Sequence, residues 1–82
     1  MYLNEVRNIL TDVLNLGPTG ETLTADSPLL GSLPELDSMA VVSLIGALEE
    51  QFGILVDDDE ISASTFATLG SLAAFVQEKR GE

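Results

Sequence analysis

Ser38 is the residue around which chemistry could be arranged in this chain. It lies in Glu35-Leu36-Asp37-Ser38-Met39, directly ahead of the apolar run Ala40-Val41-Val42-Ser43-Leu44-Ile45-Gly46-Ala47-Leu48. A Pro-containing loop ends at Asp37 or Ser38, and the apolar spacing beyond it predicts a helix of about four turns. The Ser38 hydroxyl therefore stands at a helix N-terminus. Unpaired backbone N–H groups and the positive end of the dipole there favour an attached anion, such as a phosphodiester. Asp and Ser are also the types preferred as plain N-caps, and the pentapeptide alone leaves both readings open.

The rest of the chain offers Ser38 no partner for catalysis. There is no His, no Cys, and no Lys before Lys79, so a Ser-His-Asp arrangement is impossible within these residues. A carboxylate pair can in principle do acid–base work. The acids here, however, cluster on faces read as solvated, with no pocket to perturb them. Neither a Gly-rich phosphate loop nor zinc-ligand spacing occurs. Asp57-Asp58-Asp59-Glu60 lacks the alternation, central Gly and distal Glu of a calcium loop. The expectation is a protein that is not an enzyme, with no catalytic residue and no metal site.

Composition sets further bounds. Eighty-two residues make one small domain, 1–82, with room for a packed core and little for a deep cleft. The apolar fraction of 45% argues for a folded chain rather than a disordered one. No apolar run is long enough to span a membrane, and Met1-Tyr2-Leu3-Asn4-Glu5 lacks the basic-then-apolar pattern of a secretory signal, so a cytoplasmic location is expected. Fourteen acidic residues face only Arg7, Lys79 and Arg80, a net charge of −11. Such a surface repels nucleic acid and anionic headgroups. It suits partners with basic patches, whose association slows as salt rises.

The elements that must position Ser38 follow from periodicity. Leu3, Val6, Leu10, Val13 and Leu14 recur at helical spacing, widened by Ile9 and Leu16, and Gly17-Pro18 is a stop signal. Arg7 is placed on the wet face. Residues 17–36 form a long irregular loop punctuated by Gly17, Pro18, Gly20, Pro28, Gly31 and Pro34. A loop of that length in a compact domain needs a purpose. Leu23, Leu29, Leu30, Leu33 and Leu36 predict that it packs onto the helices, with a turn or short helix start at Asp26-Ser27-Pro28.

The helix from Ser38 carries a core stripe, Val41, Leu44, Ile45, Leu48 and Phe52. An adjoining stripe, Met39, Val42 and Gly46, begins beside Ser38. It reads either as a docking surface, since Met adapts to varied partners, or as ordinary scattered surface apolars. Gly53 is the expected left-handed stop, and Ile54-Leu55-Val56 an extended connector plugging the core. A short helix is expected near residues 60–64. A last helix follows Thr68 as cap, burying Leu69, Leu72, Ala73 and Val76, with Phe66 and Phe75 bracketing it and Gly70 inside at a helix-propensity cost of about 1 kcal/mol. The fold class is all-α: three main helices plus one short one, with a long first loop.

Asp37-Ser38-Met39 opening an apolar helix resembles the attachment motif of acyl carrier proteins. So do Leu48-Glu49-Glu50-Gln51-Phe52-Gly53-Ile54, the acidic run after Val56, and Phe66-Ala67-Thr68-Leu69. The likeness covers essentially the whole chain, and four segments in order carry more than the triplet alone. It implies that a phosphopantetheinyl transferase moves 4′-phosphopantetheine from coenzyme A onto Ser38. The thiol of that arm then holds an acyl group as a thioester, which accords with a chain that has no cysteine of its own. The resemblance further implies that Asp37 faces the transferase, and that Met39, Val42, Gly46, Glu49 and Glu50 dock partner enzymes. Val41, Leu44, Ile45, Leu48, Phe52, Val56, Phe66 and Leu69 would surround an acyl chain folded between the helices.

The chain also departs from carriers of fatty-acid synthesis. Glu35 stands where they usually have Gly, Ala40 and Ser43 where they often have acids, and Gly46 where a larger apolar residue is common. These differences point to a specialised carrier served by its own loading ligase or synthase and downstream acyltransferases; a monomer is expected. D-alanyl and aminoacyl or peptidyl carriers are the alternatives. An acidic interaction module that carries nothing is the reading from another class.

Overall fold

The structure, a computed structural model, describes residues 2–29, 33 and 36–81, with the backbone alone at Asp58. Leu30, Gly31, Pro34 and Glu35, which figure in the expectations above, lie outside the described residues. Four α-helices and one 3₁₀ turn follow in order among the described residues: α1 Leu3–Leu14, α2 Pro18–Glu21, α3 Ser38–Phe52, the 3₁₀ turn Asp58–Glu60 and α4 Leu69–Lys79. Among the described residues there is no strand, only an isolated bridge between Pro28 and Thr68. The all-α expectation holds, with α2, a single turn inside the long loop, as an addition.

Helix α1 is the hub, packing against α2, α3 and α4. Its stripe buries Val6, Leu10 and Leu14, and Leu16 is buried just past its end. Helix α3 contributes Leu44, Leu48 and Phe52, while Val41 and Ile45 lean on the core from its margin. Helix α4 buries Leu69, Leu72, Ala73 and Val76, the four expected. Burial of sixteen of the described apolar residues in one cluster, each Leu or Phe contributing about 1.5–3 kcal/mol, is the main force holding the helices together.

The loop ahead of α3 is docked, as its leucines predicted: Leu23, Leu29 and Leu36 are buried. It also completes α4. The first donors of a helix have no partner within it. Here Leu69 N–H donates to Ser27 O at 3.0 Å and Gly70 N–H to Ala25 O at 2.8 Å. Ser71 N–H donates to Thr68 Oγ1 at 3.0 Å, while Ser71 Oγ accepts from Thr68 N–H at 3.1 Å, a reciprocal capping box. The long connection is therefore part of the helix-capping structure as well as a tether.

Four local expectations need correction. The left-handed residue ending α1 is Asn15, φ 56°, rather than Gly17; Pro18 opens α2 at its first position, where its missing N–H costs nothing. Arg7 is not merely solvated: its guanidinium donates to Asn4 Oδ1 at 3.1 Å and reaches Leu23 O at 3.5 Å, bracing the loop. Leu55 does not plug the core. In an extended segment alternate side chains face opposite ways, so Ile54 is buried and Leu55 is 81% exposed. The short helix near residues 60–64 is instead the earlier 3₁₀ turn. Ser62, Ser64 and Thr65 hydroxyls bond one another and the Thr65 N–H, local bonding that competes with helix.

Candidate functional site: the N-terminus of α3 and its flanking cleft

Asp37 is the N-cap of α3: its Oδ1 accepts from Ala40 N–H at 2.8 Å, and its carbonyl takes the first intrahelical bond from Val41 at 2.9 Å. Ser38 is the first helical residue. The cap belongs to Asp37, so the Ser38 hydroxyl has no capping duty. Its side chain is exposed, and among the described residues nothing engages that hydroxyl, the Ser38 N–H or the Met39 N–H in a hydrogen bond. At α4 the corresponding two donors are answered by loop carbonyls. An exposed hydroxyl at the positive end of a fifteen-residue helix fits a phosphodiester.

Beside Ser38 the α3 surface is apolar. Met39 is 77% and Val42 69% exposed, and Gly46 is exposed on the same side. The two acids near the end of α3 have different settings. Glu50 is exposed. Glu49 is half-buried, and its Oε2 accepts from Val56 N–H at 2.9 Å.

Between α3 and the segment after it lies an open cleft of about 290 Å³, lined by Val42, Ile45, Gly46, Glu49, Val56 and Ile61. Of the eight residues expected around an acyl chain, Ile45 and Val56 border this cleft. Leu44, Leu48 and Leu69 are fully buried, and Phe52 and Phe66 nearly so. Val41 packs against the same core from a half-buried position. Ile45, Val56 and Ile61 also touch that core, so the cleft opens onto it. Val42, Gly46 and Glu49, placed on the docking surface by sequence, line the cleft as well. Ile61 was missed: it follows an acidic run read as surface, and the only sign of its role was an isolated apolar residue five positions beyond Val56.

The far wall of the cleft is fixed to α4. Lys79 Nζ donates to both Glu60 oxygens at 2.7 Å, and Asp57 N–H donates to Glu60 Oε1 at 3.0 Å. The Lys79 ammonium, then the Asp57 N–H, hold the Glu60 carboxyl below its ordinary value of 4.5. Among the described residues no three His, Cys, Asp or Glu side chains converge as metal ligands. No helix among them is long and apolar enough to cross a membrane.

An exposed serine hydroxyl at the head of a helix that its neighbour caps is sterically open to covalent attachment of a group. Residues 4–76 match the family described as the phosphopantetheine attachment site. The chain belongs to the phosphopantetheine-attachment family of acyl carrier proteins, which are carriers and not catalysts. An acyl carrier protein of Sulfurovum sp. is 34% identical over 90% of this chain and 92% of its own length. One from Wolinella succinogenes is 30% identical over 94% and 95%. The solution NMR structure of a holo acyl carrier protein from Nitrosomonas europaea is 66% identical and superposes with a TM-score of 0.92, covering 100% of this chain and 99% of that one. The prosthetic group of such a domain is 4′-phosphopantetheine, and its partners are a phosphopantetheinyl transferase and enzymes of acyl metabolism.

Proposed function

We propose that Ser38 is the attachment residue, carrying 4′-phosphopantetheine from coenzyme A through a phosphodiester to its hydroxyl. The observation that carries this is the exposed Ser38 side chain at the first position of α3, with Asp37 doing the capping beside it. When bound, the arm supplies a thiol that holds an acyl group as a thioester. The chain's own part is to present the serine, offer the Ser38 and Met39 N–H groups to the phosphate, and give partner enzymes a surface to recognise. Asp37, exposed beside the serine, faces the transferase. Met39, Val42 and Gly46 are the apolar contacts for partners whose basic patches meet the acidic surface, with Glu50 and Glu49 at the far end of α3.

The cleft at Ile45, Val56 and Ile61 receives the cargo, with the core residues Val41, Leu44, Leu48, Phe52, Phe66 and Leu69 beyond it. The absence of acids at Ala40 and Ser43 favours a specialised carrier with its own loading ligase or synthase and acyltransferases. This reading takes residues 1–82 as one cytoplasmic, monomeric carrier domain.

Intact mass spectrometry tests it. Incubation with coenzyme A and a broad-specificity transferase adds roughly 340 Da to the wild-type chain as one covalent serine modification, and Ser38→Ala shows no gain. Because Asp37 is the cap, Ser38→Ala keeps the wild-type stability within about 0.5 kcal/mol, so a lost mass gain reports on attachment and not on folding. A wild-type chain that stays unmodified would sink the proposal.

A further inference from the structure

Glu49 holds the chain after α3 in two ways. Its main-chain carbonyl accepts from Gly53 N–H and from Ile54 N–H at 3.2 Å, closing the helix over the left-handed Gly53, φ 65°. Its carboxylate then reaches seven residues ahead to Val56 N–H. Residues 54–57 belong to no helix or sheet, so Val56 has no ladder partner and the Glu49 side chain serves as one.

That hydrogen bond joins the two sides of the cleft. Val42, Ile45, Gly46 and Glu49 come from α3, and Val56 and Ile61 stand opposite. The opposite wall is anchored differently at each end. Glu60 pins one end to α4 through Lys79, whereas the Val56 end is held to α3 by the half-buried Glu49 carboxylate. Gly46, with open space where a side chain would project, leaves the α3 side of the mouth clear.

We propose that Glu49 is a positioning residue for cargo: its hydrogen bond to Val56 sets the width of the cleft, and its release lets residues 54–57 move from α3 to admit an acyl chain. The proposal rests on the carrier reading above and assigns Glu49 a role separate from that of Glu50. A glutamate suits the task because its carboxylate is stable both against the Val56 N–H and turned out to water.

Amide hydrogen exchange at Val56 in the apo chain gives the first test. Glu49→Ala speeds that exchange about tenfold, near the upper end of what one net hydrogen bond contributes. Glu49→Gln, whose amide oxygen still accepts, keeps most of the protection, and Glu50→Ala leaves it unchanged. A thermal melt of each variant separates local from global opening. In the octanoyl-loaded holo chain Val56 exchanges faster than in the unloaded holo chain, and Glu49→Ala removes the difference. Equal Val56 protection in wild type, Glu49→Ala and Glu49→Gln overturns the proposal, as does wild-type exchange indifferent to octanoyl loading. The second comparison decides even where Glu49→Ala fails to fold. The apo measurement needs no prosthetic group, so its failure is distinct from failure of Ser38 to be modified.

Discussion

Two adjacent residues divide between them the tasks that one side chain cannot combine. A hydroxyl tied to a backbone N–H as a cap is withdrawn from a modifying enzyme, and Asp37 removes that conflict by accepting from Ala40 N–H itself. Its carboxylate is then both a structural acceptor and an exposed charge, and two substitutions separate these roles. Asp37→Asn keeps a capping oxygen, since Asn caps as well as Asp; its melting temperature stays near wild type while transfer of phosphopantetheine slows. Asp37→Ala loses the cap and about 1 kcal/mol of stability, read by urea denaturation. Equal transfer rates for wild type and Asp37→Asn would show that the transferase does not use the charge.

At the scale of elements, the long connection and the start of α4 constrain each other. Gly70 shows why. On helix propensity alone, Ala at an interior position is better than Gly by about 1 kcal/mol, so Gly70→Ala would be expected to stabilise. In the structure a Cβ at residue 70 would lie 2.8 Å from Ala25 O, the same oxygen that accepts the Gly70 N–H. Gly70→Ala therefore destabilises by about 1–3 kcal/mol as the loop is forced off the helix, measured by denaturant unfolding. This contact marks the limit of what the sequence discloses. The stripes of α1 and α4, the Thr68 cap and the Gly53 stop are local signals that survive folding, and each was readable. The cap of α3 stayed open between Asp37 and Ser38 until the bond to Ala40 N–H assigned it to Asp37. Leu55 and Ile61 were not readable, because the facing of an extended three-residue run and the role of a lone apolar residue depend on what lies opposite. The Glu49–Val56 bond was hidden for the same reason: Glu49 and Glu50 are chemically identical in sequence, and only the return of the chain past α3 distinguishes them. Ser38 was legible as a helix-head hydroxyl from spacing, whereas the attachment role proposed for it came through resemblance.

At the scale of the molecule, the three cations are all spent on internal contacts. Arg7 braces the loop, Lys79 pairs with Glu60 at 2.7 Å, and Arg80 donates to Phe52 O at 2.7 Å while lying 5.4 Å from the centre of the Tyr2 ring. Fourteen acids against three bases leave carboxylates repelling one another across a small surface. Added sodium chloride, which shortens the range of that repulsion to about 10 Å at 0.1 M, is therefore expected to raise the melting temperature measured by circular dichroism. A melt indifferent to salt would show that the acids are spaced too widely to oppose folding.

The net charge of −11 also governs how copies of the chain meet. Each presents the other with an outward field of one sign, so two molecules push apart before their surfaces touch. Around a basic enzyme face, neighbouring copies would keep their distance and arrive singly rather than in clusters.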